Sequence, residues 1–172
     1  LNEYKKTNTY YAVILVPSIA LLNQWEEEVL SFNFQNIIKI GGGNNWEKEF
    51  SNYVSNFNAG LKKNIILIST YASFTSSKFQ KYFKKVEEDF TLIADEAHNM
   101  GAKNIKAAMN KSLIKKRIGL SATPKRIYDP EGTEFIDTFF NDKEPYTYSF
   151  SMKEAMDNDY LCVRLQTKLD FC

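Results

Sequence analysis

Cysteine is scarce in this chain of 172 residues, with Cys162 and Cys172 the only two. A pair near one end makes neither a disulfide framework nor a zinc-binding set. The expectation is two free thiols in a reducing compartment. Glycine and proline are also few, at 7 and 4, which excludes collagen-like and low-complexity architectures. Neither sign of charge dominates: 22 basic residues face 21 acidic ones, for a net charge of +1. Any nucleic-acid surface must therefore be a local patch and not a global field. No apolar run is long enough to span a bilayer, and no signal-peptide pattern opens the chain. A cytoplasmic location, with no membrane partner, is expected. The first residue is Leu1 and not Met, which reads as an excised fragment or as a chain with an unseen beginning.

What is present is the composition of a globular domain, 44% hydrophobic and 25% charged, in a length that suits one good-sized core. Tyr11–Val16 (YAVILV) is a short, continuous apolar run stopped by Pro17, the pattern of a strand buried on both faces. Ser18 then stands where a helix N-cap belongs. Ile19, Leu22, Trp25 and Val29 follow at steps of three and four, as on one face of an amphipathic helix. Further strands are expected at 36–40, 64–69, 90–95 and 117–122. Helices are expected at 45–57, 71–85 and 104–113. After Pro124 the pattern weakens. It suggests a loop and short helix, an edge strand at 145–151, a capped helix from Ser151 to about Tyr160, and a final strand in the last residues.

Strands alternating with helices imply crossover connections and a parallel sheet flanked by helices on both faces. Ligands of such sheets bind beyond the carboxyl ends of the strands. In this chain those ends carry Pro17-Ser18, Ser69-Thr70, Asp95-Glu96 and Ser121-Ala122-Thr123. The adjacent carboxylates Asp95 and Glu96 repel each other and are costly to bury together without a cation or proton. They read either as a solvated loop or as a site where one carboxylate holds a hard metal ion and the other acts as base.

The order of these stretches carries a resemblance. DEAH at Asp95–His98 followed by SAT at Ser121–Thr123 resembles motifs II and III of superfamily-two helicases and translocases. VILVPSIALLNQW, from Val13 to Trp25, looks like their motif Ia, and ISTYAS, from Ile68 to Ser73, like motif Ib. LSATPKR looks most like the DNA-directed branch: restriction-enzyme motor subunits, excision-type repair helicases and related phage helicases. The resemblance implies an α/β, RecA-like first motor domain of the P-loop NTPase type. It would occupy residues 1–150 in partial form, and 151–172 would lead out of it towards a second motor domain. The implied activity is ATP-dependent movement on or unwinding of DNA, with ATP and Mg²⁺ as cofactors. RNA is the alternative track.

Roles follow from the resemblance by position. Asp95 would hold Mg²⁺ on the phosphates, and Glu96 would orient and deprotonate the attacking water. His98 would link the nucleotide site to Ser121 and Thr123, which would relay the nucleotide state. Pro17, Ser18, Ser69, Thr70 and Tyr71 would track the nucleic-acid backbone at helix starts. Gly41–Gly43 reads equally as a close backbone approach to phosphate or a flexible turn, and Lys125-Arg126 as a ligand contact or a solvated basic pair. One part of the pattern is missing. No Gly-rich loop ending in Lys-Ser/Thr occurs, and GGGNNWEKEF has the glycines without the lysine. That loop is expected before Leu1, and the isolated chain is expected to be inactive. A degenerate module that binds nucleic acid or protein without catalysis is the remaining alternative.

Overall fold

The computed structural model describes residues 2–61 and 63–158. They fall into two compact units, Leu1–Asn141 and Asp142–Cys172. The first opens with a short helix that the sequence pattern did not suggest, α1 (Asn2–Thr7). Strand β1 (Tyr11–Val16) then leads into α2 (Ile19–Ser31), β2 (Ile37–Ile40), α3 (Trp46–Asn58) and β3 (Ile65–Thr70). Next come α4 (Tyr71–Phe74), α5 (Ser77–Phe83), β4 (Thr91–Asp95), α6 (Lys103–Met109), β5 (Lys116–Leu120) and α7 (Pro130–Phe140).

The five strands form one sheet in the order β2-β3-β1-β4-β5, and every pairing is parallel. The cause is the one read from the sequence: apolar runs too short for helices, joined by amphipathic segments that must cross back over the sheet. Register aligns the strand ends. Val16 pairs with Thr70, Leu15 with Ala94, Asp95 with Leu120, and Ile40 with Ser69. The chain therefore leaves each strand along one edge of the sheet.

The two faces are covered unequally. On one, Val13, Leu15, Leu67 and Leu92 pack beneath a set of buried rings including Phe50, Phe74, Phe79, Phe83 and Phe90. On the other, Ile14, Val16, Ile66 and Ile68 pack against Leu22 and Val29 of α2. In β5 every residue but the half-buried Arg117 is exposed, and Ile118 and Leu120 retain 47% and 42% of their surface.

Two expectations change in detail. The helix expected over 71–85 is two short helices, because Ser76 caps a new one by accepting from the Phe79 N–H (3.3 Å). The strand expected over 145–151 does not form. There the Thr147 N–H, which a ladder would need, goes instead to the Asp142 carboxylate (3.1 and 3.2 Å). The helix after Ser151 does form, as α8 (Met152–Asp157), closed by a reciprocal capping box between Ser151 and Glu154. The final strand expected lies outside the described residues.

Candidate functional site

Asp95 is the last residue of β4, and each of its three oxygens has a donor. Oδ1 accepts from the Glu96 N–H (3.0 Å), Oδ2 from the Trp25 indole N–H (2.8 Å), and the backbone carbonyl from the Tyr71 hydroxyl (2.9 Å). Burial, and then the negative charges of Asp95 and Glu96, push the Tyr71 phenol well above its ordinary range. It therefore stays protonated and keeps donating.

Glu96 sits in the left-handed region, with φ 49° and ψ 55°. A non-glycine residue pays for that conformation, which is typical of functional turns. The turn throws the chain out of the strand into a 3₁₀ helix, Ala97–Gly101, and carries His98 back over the strand ends. His98 Nδ1 then lies 3.2 Å from Glu96 Oε2 and 3.2 Å from Ser121 Oγ. Ser121 Oγ also accepts from the Thr123 N–H (3.2 Å). One imidazole nitrogen thus bridges the loop after β4 and the loop after β5. The Glu96 and His98 side chains remain 41% and 34% exposed, so the carboxylate is open to an incoming group.

The residues read as nucleic-acid contacts divide. Ser18 is exposed and caps α2 by accepting from the Leu21 N–H (3.3 Å), with the exposed Pro17 beside it. Ser69 is fully buried, and its hydroxyl donates to the Thr70 carbonyl (3.0 Å). Thr70 is also buried and caps α4 by accepting from the Ser73 N–H (3.2 Å). Tyr71 is buried beneath Asp95, so its ring lies in the core and not on an open surface. Gly41, Gly42 and Gly43 all have positive φ. A Cβ on Gly41 would come within 3.2 Å of Ser73 Oγ and 3.5 Å of Ile19. The glycine turn is therefore pressed against the starts of α2 and α4.

Two contributors were not legible as such. Trp25 reads from its spacing as a core residue of α2, and its link to Asp95 spans 70 positions. Arg126 reads as half of a basic pair, yet its Nη1 donates to the His98 carbonyl (2.8 Å) and its Nε pairs with Asp129 (2.8 Å). It ties the His98 turn to the segment after Thr123.

A family model described as type III restriction enzyme, res subunit, matches residues 1–126. The chain belongs to that family. Among solved structures, the res-subunit-like fold is similar to the Pyrococcus furiosus Hef helicase domain, with a TM-score of 0.57 and 19% identity. It is also similar to a nuclease-deletion mutant of the type ISP restriction-modification enzyme LlaGI in complex with a DNA substrate mimic, with a TM-score of 0.59 and 21% identity. These matches cover 81% and 92% of this chain but 29% and 16% of the others, so the chain spans under a third of either. No curated protein matches it. Together the family and the parallel sheet establish a superfamily-two helicase-like, RecA-type α/β domain. Among the described residues no helix is long and apolar enough to cross a membrane.

Proposed function

We propose that this chain is part of the first motor domain of an ATP-dependent DNA helicase or translocase, and that alone it does not hydrolyse ATP. The observation that carries the reading is the His98 bridge. A carboxylate, an imidazole and a hydroxyl from two strand ends converge within 3.2 Å contacts at the edge where ligands of parallel sheets bind.

The donor set fits Mg²⁺ held with a nucleotide. Among the described residues no group of three His, Cys, Asp or Glu side chains could cage a metal. Mg²⁺ bound to nucleotides needs only one or two carboxylates, its other positions going to phosphates and water. Asp95 supplies such a carboxylate. When bound, the ion would neutralise charge on the phosphate oxygens. Glu96 then holds the attacking water and takes its proton. His98 senses that carboxylate and passes its position to Ser121, and Ser121 to the Thr123 backbone.

Pro17, Ser18 and the Gly41–Gly43 turn form the exposed part of the nucleic-acid track. Thr70 and Tyr71 support it from below. The LlaGI structure, with its DNA mimic, favours DNA over RNA. Among the described residues β5 is the last strand in the sheet order, which supports the reading that a further strand, bearing the phosphate-binding loop, pairs alongside it. Exposed Ile118 and Leu120 would then be covered by the helix that follows such a loop.

The test is ATP turnover, with and without single-stranded DNA or RNA, in two proteins. The 172-residue chain should show none. A longer protein with the phosphate loop and second motor domain should show DNA-stimulated turnover. There Glu96→Gln should abolish hydrolysis and leave nucleotide binding intact. Stimulated turnover by the chain alone, or full activity of the Glu96→Gln protein, would overturn the reading.

A further inference from the structure

We propose that Trp25 is a positioning residue for the metal-binding carboxylate, tying Asp95 to the helix that begins at the nucleic-acid track. The inference rests on the metal role of Asp95 given above and adds a residue to it. Trp25 Nε1 donates to Asp95 Oδ2 at 2.8 Å. An indole N–H can only donate, and an ionised carboxylate can only accept. The direction of the bond is therefore unambiguous, and its charge makes it one of the stronger kinds.

Packing alone does not account for the tryptophan. Its ring lies against the apolar cluster of Ile14, Val16, Leu22 and Ile68, a place a phenylalanine would fill. Only the indole N–H reaches the carboxylate. With Oδ1 on the Glu96 N–H and Oδ2 on Trp25, both carboxylate oxygens are oriented, and each keeps a lone pair for a cation or its water.

The origin of the donor gives the contact a further consequence. Ser18 caps α2, and Trp25 lies seven positions later, two helical turns or about 10 Å along the axis. A helix moves as a rigid rod over that distance. A phosphate that shifts the Ser18 end would therefore shift the donor on Asp95 Oδ2. The contact joins the place where a polynucleotide is read to the place where the metal is held.

The test uses indole and backbone N–H signals of the 172-residue chain by nuclear magnetic resonance, with Mn²⁺ as a paramagnetic probe. Trp25 and Trp46 are the only indoles, and Trp25→Phe identifies which signal is which. The Trp25 indole proton should exchange slowly with water, and Asp95→Ala should speed that exchange. Mn²⁺ should broaden the Trp25 indole before that of Trp46. In Trp25→Phe, the Mn²⁺ concentration that half-broadens the Glu96 N–H should rise by about 10-fold or more, as for other groups that orient metal ligands. Thermal melting of that variant should stay close to the parent value.

Exchange as fast as an exposed indole, or an unchanged Mn²⁺ requirement in Trp25→Phe, overturns the proposal. If Mn²⁺ leaves the Glu96 N–H untouched both in the unsubstituted chain and in the longer protein with nucleotide bound, the metal role of Asp95 fails first and this inference fails with it. Should Trp25→Phe not fold, indole exchange in the parent and Asp95→Ala chains still decides whether the bond exists.

Discussion

Gly101→Ala tests the brace that holds the His98 turn. Gly101 ends the 3₁₀ helix carrying His98, and its φ is not left-handed, so alanine is permitted by the backbone. Space is the obstacle. A Cβ there would lie 2.5 Å from Arg126 Cδ, 2.9 Å from Arg126 Nε and 3.1 Å from Gly132 Cα. Arg126 would have to swing away, breaking its bond to the His98 carbonyl and its pair with Asp129, both 2.8 Å.

The first loss, a hydrogen bond to a charged donor, costs about 1.5–2 kcal/mol. The second is a pair whose side chains are 27% and 34% exposed, so solvent screening makes it a minor addition. Replacing glycine returns about 0.4–1 kcal/mol through the unfolded state. The net is a loss of about 1 kcal/mol, or a melting temperature lower by roughly 2–4 °C for a domain of this size.

The decisive measurement is a double-mutant cycle by thermal or urea unfolding. With Arg126→Ala already in place, of these atoms only the Gly132 Cα at 3.1 Å still faces the added Cβ, and most of the cost of Gly101→Ala should vanish. An equal cost in both backgrounds would show that Arg126 does not fill the space, and the brace would have to be abandoned.

Phe79→Ala removes a fully buried ring that lies 5.1–5.7 Å from those of Trp46, Phe50, Phe74 and Phe83. It should cost about 3–5 kcal/mol; a loss under 1 kcal/mol in urea unfolding would contradict the packing. Asp129 has a carboxyl held below its ordinary range, first by the Gly132 N–H and then by Arg126. Such a group contributes stability fully above its unfolded value of about 3.9, and loses it as pH falls through the lower folded value. The stability difference between the parent chain and Asp129→Ala should therefore be constant from neutral pH to about 4 and shrink below it. A difference that persists unchanged in acid would refute the assignment.

Much of the architecture was written locally. YAVILV, NIILIS and FTLIAD are too short and too apolar to be anything but buried strands, and all three form where expected. The capping serines Ser18 and Ser151 mark helix starts for the same reason: a side-chain oxygen beside free backbone N–H groups is a short-range signal. What failed was also local in cause. Over 145–151 a weak alternation lost to the Asp142 carboxylate, which took the Thr147 N–H.

By itself, then, the sequence determined the strand-and-helix alternation and the placing of Asp95, Glu96, Ser121 and Thr123 at strand ends. Periodicity and capping act over a few residues and are visible in a single chain. The motif resemblance implied a link from His98 to Ser121, and tertiary structure set its geometry; tertiary structure alone decided that Tyr71 lies under Asp95, that Arg126 braces the His98 carbonyl and that Trp25 reaches Asp95. Each of these is a hydrogen bond between residues brought together by strand order and register, which no local pattern encodes.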